Sequence, residues 1–161
     1  MKGFFSLENP LIQFLSLICD LMLLNVAFIW GNSLLNGEAS GDLSGGFSAW
    51  IGQFIPFLSP DSPNGHFLIR KMAHFSIFFL LGIWLGWLMG MLQERKVFLR
   101  ALILAACVAT IDESIQRFIP ARYGCFSDML LDSCGAAAGI SFLLFGHTLW
   151  QKRKSKKEHS L

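Results

Sequence analysis

The sequence predicts an all-α fold: a polytopic membrane four-helix bundle with an additional amphipathic helix on its outer side. Of the 161 residues, 53% are hydrophobic and only 15% are charged, whereas soluble domains lie nearer ~45–50% and ~25%. The mean hydropathy is +0.52. Three apolar runs, Leu11–Trp30, Phe75–Leu92 and Met129–Trp150, carry at most one Asp, Glu, Lys or Arg each. Each run is long enough to cross a bilayer core of ~30 Å, so lipid is the expected solvent.

The first predicted element is a membrane span near residues 10–31. A cleaved signal peptide is the competing interpretation, but the apolar stretch is about 20 residues long against ~7–15 in a signal peptide. Gln13, Ser16 and Asp20 form a polar stripe at helical spacing, which is expected to face protein rather than lipid. A protonated Asp20 bonded across helices is favoured over a proton-coupled transporter, because transporters commonly contain internal repeats and this sequence shows none.

The second predicted element is an amphipathic helix near residues 44–58, between the first two spans. Its apolar side chains recur at helical spacing: Phe47, Trp50, Ile51, Phe54, Ile55 and Leu58. Pro56, Pro60 and Pro63 then interrupt the chain before the next span. The helix is expected to lie on the membrane surface through apolar burial, or to pack as a lid over the outer mouth of the bundle.

Three further spans and a tail complete the chain. The spans are predicted near residues 71–92, 97–116 and 128–150, within one transmembrane domain over 1–150 that is followed by a basic tail over 151–161. The third span reaches membrane length only if its helix continues through Asp112 and Glu113 to Gln116.

Small residues repeat every four positions along these three spans. They are Gly82, Gly86 and Gly90 in the second span, Ala101, Ala105 and Ala109 in the third, and Gly135 and Gly139 in the fourth. Such faces let helices approach closely in lipid, where hydrophobic burial cannot drive their association. Packing within the chain is favoured over a homodimer formed through the Gly-x-x-x-Gly faces.

The 13 basic residues are distributed unevenly when both termini are placed inside. Nine lie on the inner side: Lys2, Arg95, Lys96, Arg100, Lys152, Arg153, Lys154, Lys156 and Lys157. Four lie on the outer side: Arg70, Lys71, Arg117 and Arg122. The asymmetry follows the positive-inside rule and predicts a multi-pass protein with both termini cytoplasmic. No basic arm or aromatic-interleaved patch predicts nucleic-acid binding, so membrane lipid is the expected partner of the basic tail.

Ionisable residues at the predicted helix ends converge on the outer face of the bundle. The candidate ligand-binding residues are Lys71, His74, Asp112, Glu113, Gln116, Arg122, Asp128 and Asp132. Retained charges at membrane depth predict a functional site, since each costs ~2.5–3.5 kcal/mol at the bilayer centre on insertion scales. We expect Asp112 or Glu113 to hydrogen-bond His74, and Arg122 to bind carboxylates in a bidentate manner. Asp132 is expected to meet Arg122, Lys71 or His74.

Several segments resemble the VanZ-like family of bacterial membrane proteins. They are R-K-M-A-H-F from Arg70, W-G-N-S-L-L-N-G-E-A-S-G-D-L-S over Trp30–Ser44, and D-E-S-I-Q-R-F-I-P-A-R-Y-G-C-F-S-D-M-L-L-D-S-C-G-A-A-A-G over Asp112–Gly139. The pattern D-E-x-x-Q-x-F-x-P-x-R, with an Asp six residues later and K-x-x-H upstream, is a specific signal. The resemblance implies a small polytopic protein of the bacterial cytoplasmic membrane, whose namesake contributes to teicoplanin resistance.

The resemblance also implies which polar positions matter in this chain. By matching position they are Lys71, His74, Asp112, Glu113, Gln116, Arg122 and Asp128. Two residues depart from the family pattern: Cys125 stands where Ser is common, and Asp132 stands where Asn is common. The second departure adds a negative charge to the site.

Two function classes are compatible with these residues. In the first, the protein binds an outer-surface amphiphile, either a lipoglycopeptide antibiotic or a lipid-linked envelope precursor. Arg122 and Lys71 would hold its anionic headgroup, and the acidic residues would hold amines or hydroxyls.

In the second class, the protein is a membrane-embedded enzyme with His74 as general acid or base and an acidic partner, Asp112, Glu113 or Asp128. Binding is ranked above catalysis because the sequence has no unmistakable nucleophile, phosphate-binding Gly loop or H-E-x-x-H motif. No cofactor and no metal are expected, although a variant of the enzyme hypothesis holds a divalent metal through His74 and carboxylates.

Overall fold

A computed structural model describes residues 10–35, 37–62, 64–120, 122 and 124–158. All regular secondary structure in this part of the chain is helical, which confirms the predicted all-α class. The helices are α1 (Pro10–Ser33), α2 (Gly37–Gly52), a 3₁₀ turn (Pro56–Leu58), α3 (Gly65–Met91), α4 (Val97–Arg117) and α5 (Phe126–Glu158). Lys2, Pro63 and the end of the predicted tail, 159–161, lie outside the described residues.

Three of the helices are long and apolar enough to cross a membrane. They are α1, the Phe67–Met91 part of α3 and the Phe126–Lys156 part of α5. Large apolar side chains on their outer surfaces are exposed, for example Leu24 at 67% and Phe142 at 66%, as expected where lipid replaces water. The 21 residues of α4 extend about 32 Å at 1.5 Å per residue, but charged residues near both ends exclude it from this class.

The amphipathic helix differs from its prediction over 44–58. In the structure α2 begins at Gly37 and ends at Gly52, and Pro56–Leu58 forms a separate 3₁₀ turn. The cause is Pro56, because the residue before a proline is driven out of the helical region. Ile55 is accordingly extended, with φ −131° and ψ 90°.

The second and fourth spans are longer than predicted. α3 starts at Gly65 rather than near 71, and α5 starts at Phe126 and continues to Glu158 rather than ending near 150. The predicted bounds follow the apolar runs, and the added residues of both helices lie outside those runs. Much of the basic tail is therefore a helical continuation of α5.

The bundle is centred on the packing of α3 against α5. A Cβ atom added at Gly82 would collide with main-chain atoms of Ala136, and one added at Gly139 would collide with main-chain atoms of Phe79 and Ile83. These glycines therefore let the two backbones touch, as small residues do between membrane helices. The predicted glycine faces are used within the chain, apart from Gly90, where an added Cβ atom would meet nothing within 4 Å among the described residues.

The helix α4 packs on this pair through its alanine face. Ala101, Ala105 and Ala109 are fully buried in one core cluster with Phe78 and Leu81 of α3. α1 contacts both α3 and α4. The helices therefore meet around a core made of small residues on one side and large residues on the other.

The aromatic side chains of α2 and of the segment that follows it are largely exposed. Phe47, Trp50 and Phe54 are exposed and their rings follow one another at centroid distances of 5.8 and 5.7 Å. On the opposite side, the buried Ser48 hydroxyl donates to the carbonyl oxygen of Leu58 at 2.5 Å. This orientation suits a helix lying on lipid, and the helix also packs on α3.

Candidate functional site

Four helix ends meet at one end of the bundle, and they carry the predicted polar residues. α1 and α4 end there, whereas α3 and α5 begin there. Lys71, His74, Asp112, Glu113, Gln116, Asp128 and Asp132 all lie within about three turns of these ends, and Arg122 lies on the connection between α4 and α5. The antiparallel order of the helices therefore brings together residues that are up to 61 positions apart.

The buried Asp112 carboxylate is held by two hydrogen bonds. The Ser33 hydroxyl of α1 donates to Oδ1 at 2.5 Å, and the Gln116 amide, one turn away on α4, donates to Oδ2 at 2.9 Å. The Gln116 oxygen in turn accepts from the Arg70 guanidinium at 3.3 Å. The two bonds to Asp112 offset part of the desolvation cost of its carboxylate and fix its orientation.

Two further pairs join α3 to α5. Lys71 donates to the Asp128 carboxylate and forms an ion pair with it. One turn deeper, Nδ1 of His74 lies 3.5 Å from Oδ1 of Asp132. The sequence predicts Asp112 or Glu113 as the hydrogen-bond partner of His74, but the carboxylate nearest to His74 among the described residues is that of Asp132. The rotation of α5 about its axis explains the difference. Gly135 and Gly139 face α3, and Asp132 lies on the same face of α5, so it also points toward α3.

Asp132 is the least satisfied of these acids. Its side chain is 0% exposed, and neither carboxylate oxygen has a hydrogen-bond partner among the described residues. His74, Asp112 and Asp132 each offer one ligand atom, and these atoms lie within 4.8 Å of one another. The three residues come from α3, α4 and α5, and their donor atoms suit a divalent cation.

Glu113 binds the loop between α4 and α5 and not His74. Its Oε2 accepts the backbone N–H of Cys125 at 2.7 Å, at the point where the chain enters α5. The other oxygen, Oε1, is buried without a partner in the described part of the chain. Glu113 therefore fixes the loop that also carries Arg122.

Arg122 does not form the predicted bidentate contact with carboxylates. Its side chain is only 4% exposed, and no nitrogen of its guanidinium has a hydrogen-bond partner among the described residues. The pKa of Arg122 is lowered by burial and, secondarily, by the charge of Arg70. A short turn, in which the Arg122 N–H donates to the Ile119 carbonyl at 3.2 Å, holds the residue inward. The guanidinium is therefore a buried cation without a counter-ion among the described residues.

A cavity of about 340 Å³ opens beside the polar cluster. Its apolar wall consists of Phe28, Ile29, Phe47, Ile69, Ala73, Ile77 and Phe78, and its polar wall consists of Asn32, Arg70, His74 and Asp112. Phe28 and Phe47 also have exposed rings, so the cavity reaches the outer surface of the bundle between α1, α2 and α3. The volume lies at the low end of ligand pockets.

Sequence reasoning missed three residues of this site. Ser33 bonds Asp112, Arg70 bonds Gln116, and Asn32 lines the cavity. All three lie in the W-G-N-S and R-K-M-A-H-F segments. Their position could have identified them. They lie next to the ends of two apolar runs, at the same depth as the predicted acidic residues.

The chain matches the model of the family described as VanZ/LLP1 over residues 15–148. The match includes every candidate site residue. No curated protein matches the chain, and no solved structure matches it.

Proposed function

The chain belongs to the VanZ/LLP1 family, and from this premise we propose that it binds an amphiphile at the outer face of a bacterial cytoplasmic membrane. The observation that carries the proposal is the cavity with one apolar and one polar wall. An amphiphile needs both, since burial of hydrocarbon supplies affinity and a few placed polar groups supply orientation. The class includes lipoglycopeptide antibiotics such as teicoplanin and lipid-linked envelope precursors, and binding would contribute to the envelope's response to glycopeptides.

The size of the cavity limits what it would hold. At about 340 Å³ it suits one hydrocarbon segment, not a whole glycopeptide. A lipoglycopeptide would therefore insert its acyl chain, and a lipid-linked precursor would insert the part of its chain nearest the headgroup. The headgroup would remain at the polar wall, where Arg70 lies and favours negative charge. The buried Arg122 does not line the cavity, but it is close enough to Arg70 for the charge of Arg70 to lower its pKa, so it adds positive charge near that wall.

A cavity-filling substitution tests this proposal without touching a polar residue. Ala73→Phe adds a ring to the cavity wall, so binding of a polyprenyl phosphate or of teicoplanin to the purified chain in lipid nanodiscs should weaken by at least ~10-fold, the equivalent of 1.4 kcal/mol. Met72→Phe is the matched control, because Met72 is exposed and does not line the cavity.

Ligand structure supplies the second half of this test. Teicoplanin should bind more tightly than its deacylated form if the acyl chain enters the cavity. Equal affinity of Ala73→Phe and wild type for both probes would overturn the proposal. Tight binding of the polyprenyl phosphate alone would assign the site to an envelope precursor.

A histidine–carboxylate pair next to a cavity favours a second candidate, an enzyme acting on a lipid-linked substrate. His74 lines the cavity and lies 3.5 Å from Asp132, an arrangement that suits a general acid or base. Envelope lipids of cells that carry His74→Ala or Arg122→Ala distinguish the two functions. Accumulation of one lipid supports the enzyme, whereas changed antibiotic susceptibility without a lipid change supports binding.

We further propose that α4 crosses the membrane with the other three long helices and that both termini are cytoplasmic. The uneven distribution of basic residues supports this topology, and α4 packs on both α3 and α5. The polar end of the bundle would then face outward.

Thiol labelling of intact cells measures this orientation. Cys125 is exposed and hydrogen bonds from Ser127 lower its pKa, so more of it is thiolate near neutral pH and it should react quickly with an impermeant maleimide. Ser155→Cys, in a chain without native cysteines, should react only after the membrane is permeabilised. Ser127→Ala should slow labelling of Cys125 at neutral pH but not well above its usual pKa. Labelling of residue 155 from outside would reverse the topology.

A further inference from the structure

We propose that His74, Asp112 and Asp132 form a binding site for one divalent transition-metal ion. The three donor atoms lie within 4.8 Å of one another, although the residues are far apart in sequence and follow no metal-binding spacing. The inference goes beyond amphiphile binding and stands whether or not an amphiphile enters the cavity.

The distance between two of the donors matches a shared ion. Two ligands on a tetrahedral ion with bonds of about 2.1 Å stand about 3.4 Å apart. His74 Nδ1 and Asp132 Oδ1 are 3.5 Å apart, which is long for a hydrogen bond and close to this separation.

The state of Asp132 is the independent observation that points to a cation. The side chain is completely buried, and both oxygens lack a hydrogen-bond partner among the described residues. A buried carboxylate without partners carries a large desolvation cost, and a divalent ion would offset it for Asp132 and Asp112 together. Lys71, the nearest lysine on α3, is already paired with Asp128.

Asp112 is oriented as a metal ligand is. Each of its oxygens accepts one hydrogen bond, from Ser33 and from Gln116, and a carboxylate oxygen retains a second lone pair for an ion. Hydrogen bonds of this kind set the direction and basicity of ligands in metal sites. The cavity reaches both His74 and Asp112 and supplies an entry path. One imidazole and two carboxylates suit Zn²⁺ or Mn²⁺ better than the purely oxygen-seeking Mg²⁺ and Ca²⁺.

Zinc binding to the full-length, tag-free protein in detergent tests the site. After treatment with a chelator, the wild type should take up one Zn²⁺ per chain by calorimetry and elemental analysis. Asp132→Asn should abolish measurable uptake, and Ser33→Ala should weaken it by about 10-fold because it removes only an orienting bond. Two controls should bind as the wild type does: His147→Ala, an exposed histidine on α5, and Asp20→Asn on α1. The sequence predicts that Asp20 bonds across helices, but the structure leaves it exposed.

A gain of signal keeps the test decisive if Asp132→Asn misfolds. Co²⁺ bound to His74→Cys should show a thiolate-to-cobalt charge-transfer band that is absent from the wild-type complex and from His147→Cys. No stoichiometric Zn²⁺ on folded wild-type protein, or uptake that depends on His147 instead of Asp132, would overturn the proposal. These measurements contain neither a polyprenyl phosphate nor teicoplanin, so their failure leaves the proposed function standing. Failure of the nanodisc binding test likewise leaves the metal site standing.

Discussion

Gly139→Ala is expected to cost about 3 kcal/mol of stability, the upper end of the range for overpacking. The added methyl group would collide with the Phe79 carbonyl group and the Ile83 nitrogen on α3. Main-chain atoms cannot rotate aside as a side chain can, so α3 and α5 would have to separate along their whole contact. Unfolding of the purified protein in detergent, followed by circular dichroism, measures the loss.

Gly146→Ala is the matched control on the same helix, two turns further along. Its added methyl group meets nothing within 4 Å among the described residues, and it brings the same gain in helix propensity. The difference between the two variants therefore isolates the packing cost. Equal stabilities would mean that the close contact of α3 and α5 is not required for the fold.

Arg122→Met is expected to retain or increase stability while it weakens binding of the polyprenyl phosphate. Burial of an unpartnered polar group costs about 1–3 kcal/mol, and more for a charge, and an apolar side chain of similar length removes that cost. Loss of charge-assisted hydrogen bonds to an anionic headgroup, each about 1.5–3 kcal/mol, should weaken binding of the polyprenyl phosphate by ~10–100-fold. Thermal unfolding and nanodisc binding, measured on one preparation, give both values.

Arg122→Lys separates charge from geometry, because lysine keeps the charge but lacks the two-pronged donor. It should bind more weakly than the wild type and more tightly than Arg122→Met. Arg117→Met is the control, since Arg117 is an exposed cation in the last turn of α4. A destabilised Arg122→Met protein that still bound the probe would show that the guanidinium serves the fold and not the ligand.

The overall fold was predictable because its signals are local. Uninterrupted apolar runs mark helices that lie in lipid, and alanine or glycine at every fourth position marks faces that other helices touch. The start of α2 was not predictable in the same way. The stretch from Gly37 to Gly46 has no apolar periodicity, and four of its ten residues are glycine, which disfavours a helix, so its helical state depends on packing against the rest of the chain.

The candidate site was predictable as a set of residues, and His74 was among the expected neighbours of Asp132, but the other contacts were not predictable. Depth along a helix follows from counting residues, so the shared level of His74, Asp112 and Asp132 could be foreseen. Their partners depend on how each helix is rotated about its axis and on its neighbours. Ser33, which bonds Asp112, is a single hydroxyl at the end of an apolar run, and nothing in the sequence alone connects it to a residue 79 positions away.

Under the proposed function, the exposed rings of Phe28 and Phe47 at the edge of the cavity imply that a ligand arrives from the bilayer and not from water. An opening between membrane helices admits molecules already dissolved in the bilayer, so the concentration that governs occupancy is the mole fraction in the lipid. Each added methylene favours partitioning by ~0.8 kcal/mol, about fourfold, without any new contact with the protein. Dose–response curves plotted against aqueous concentration would therefore shift with chain length and with the amount of membrane, whereas curves plotted against mole fraction would coincide.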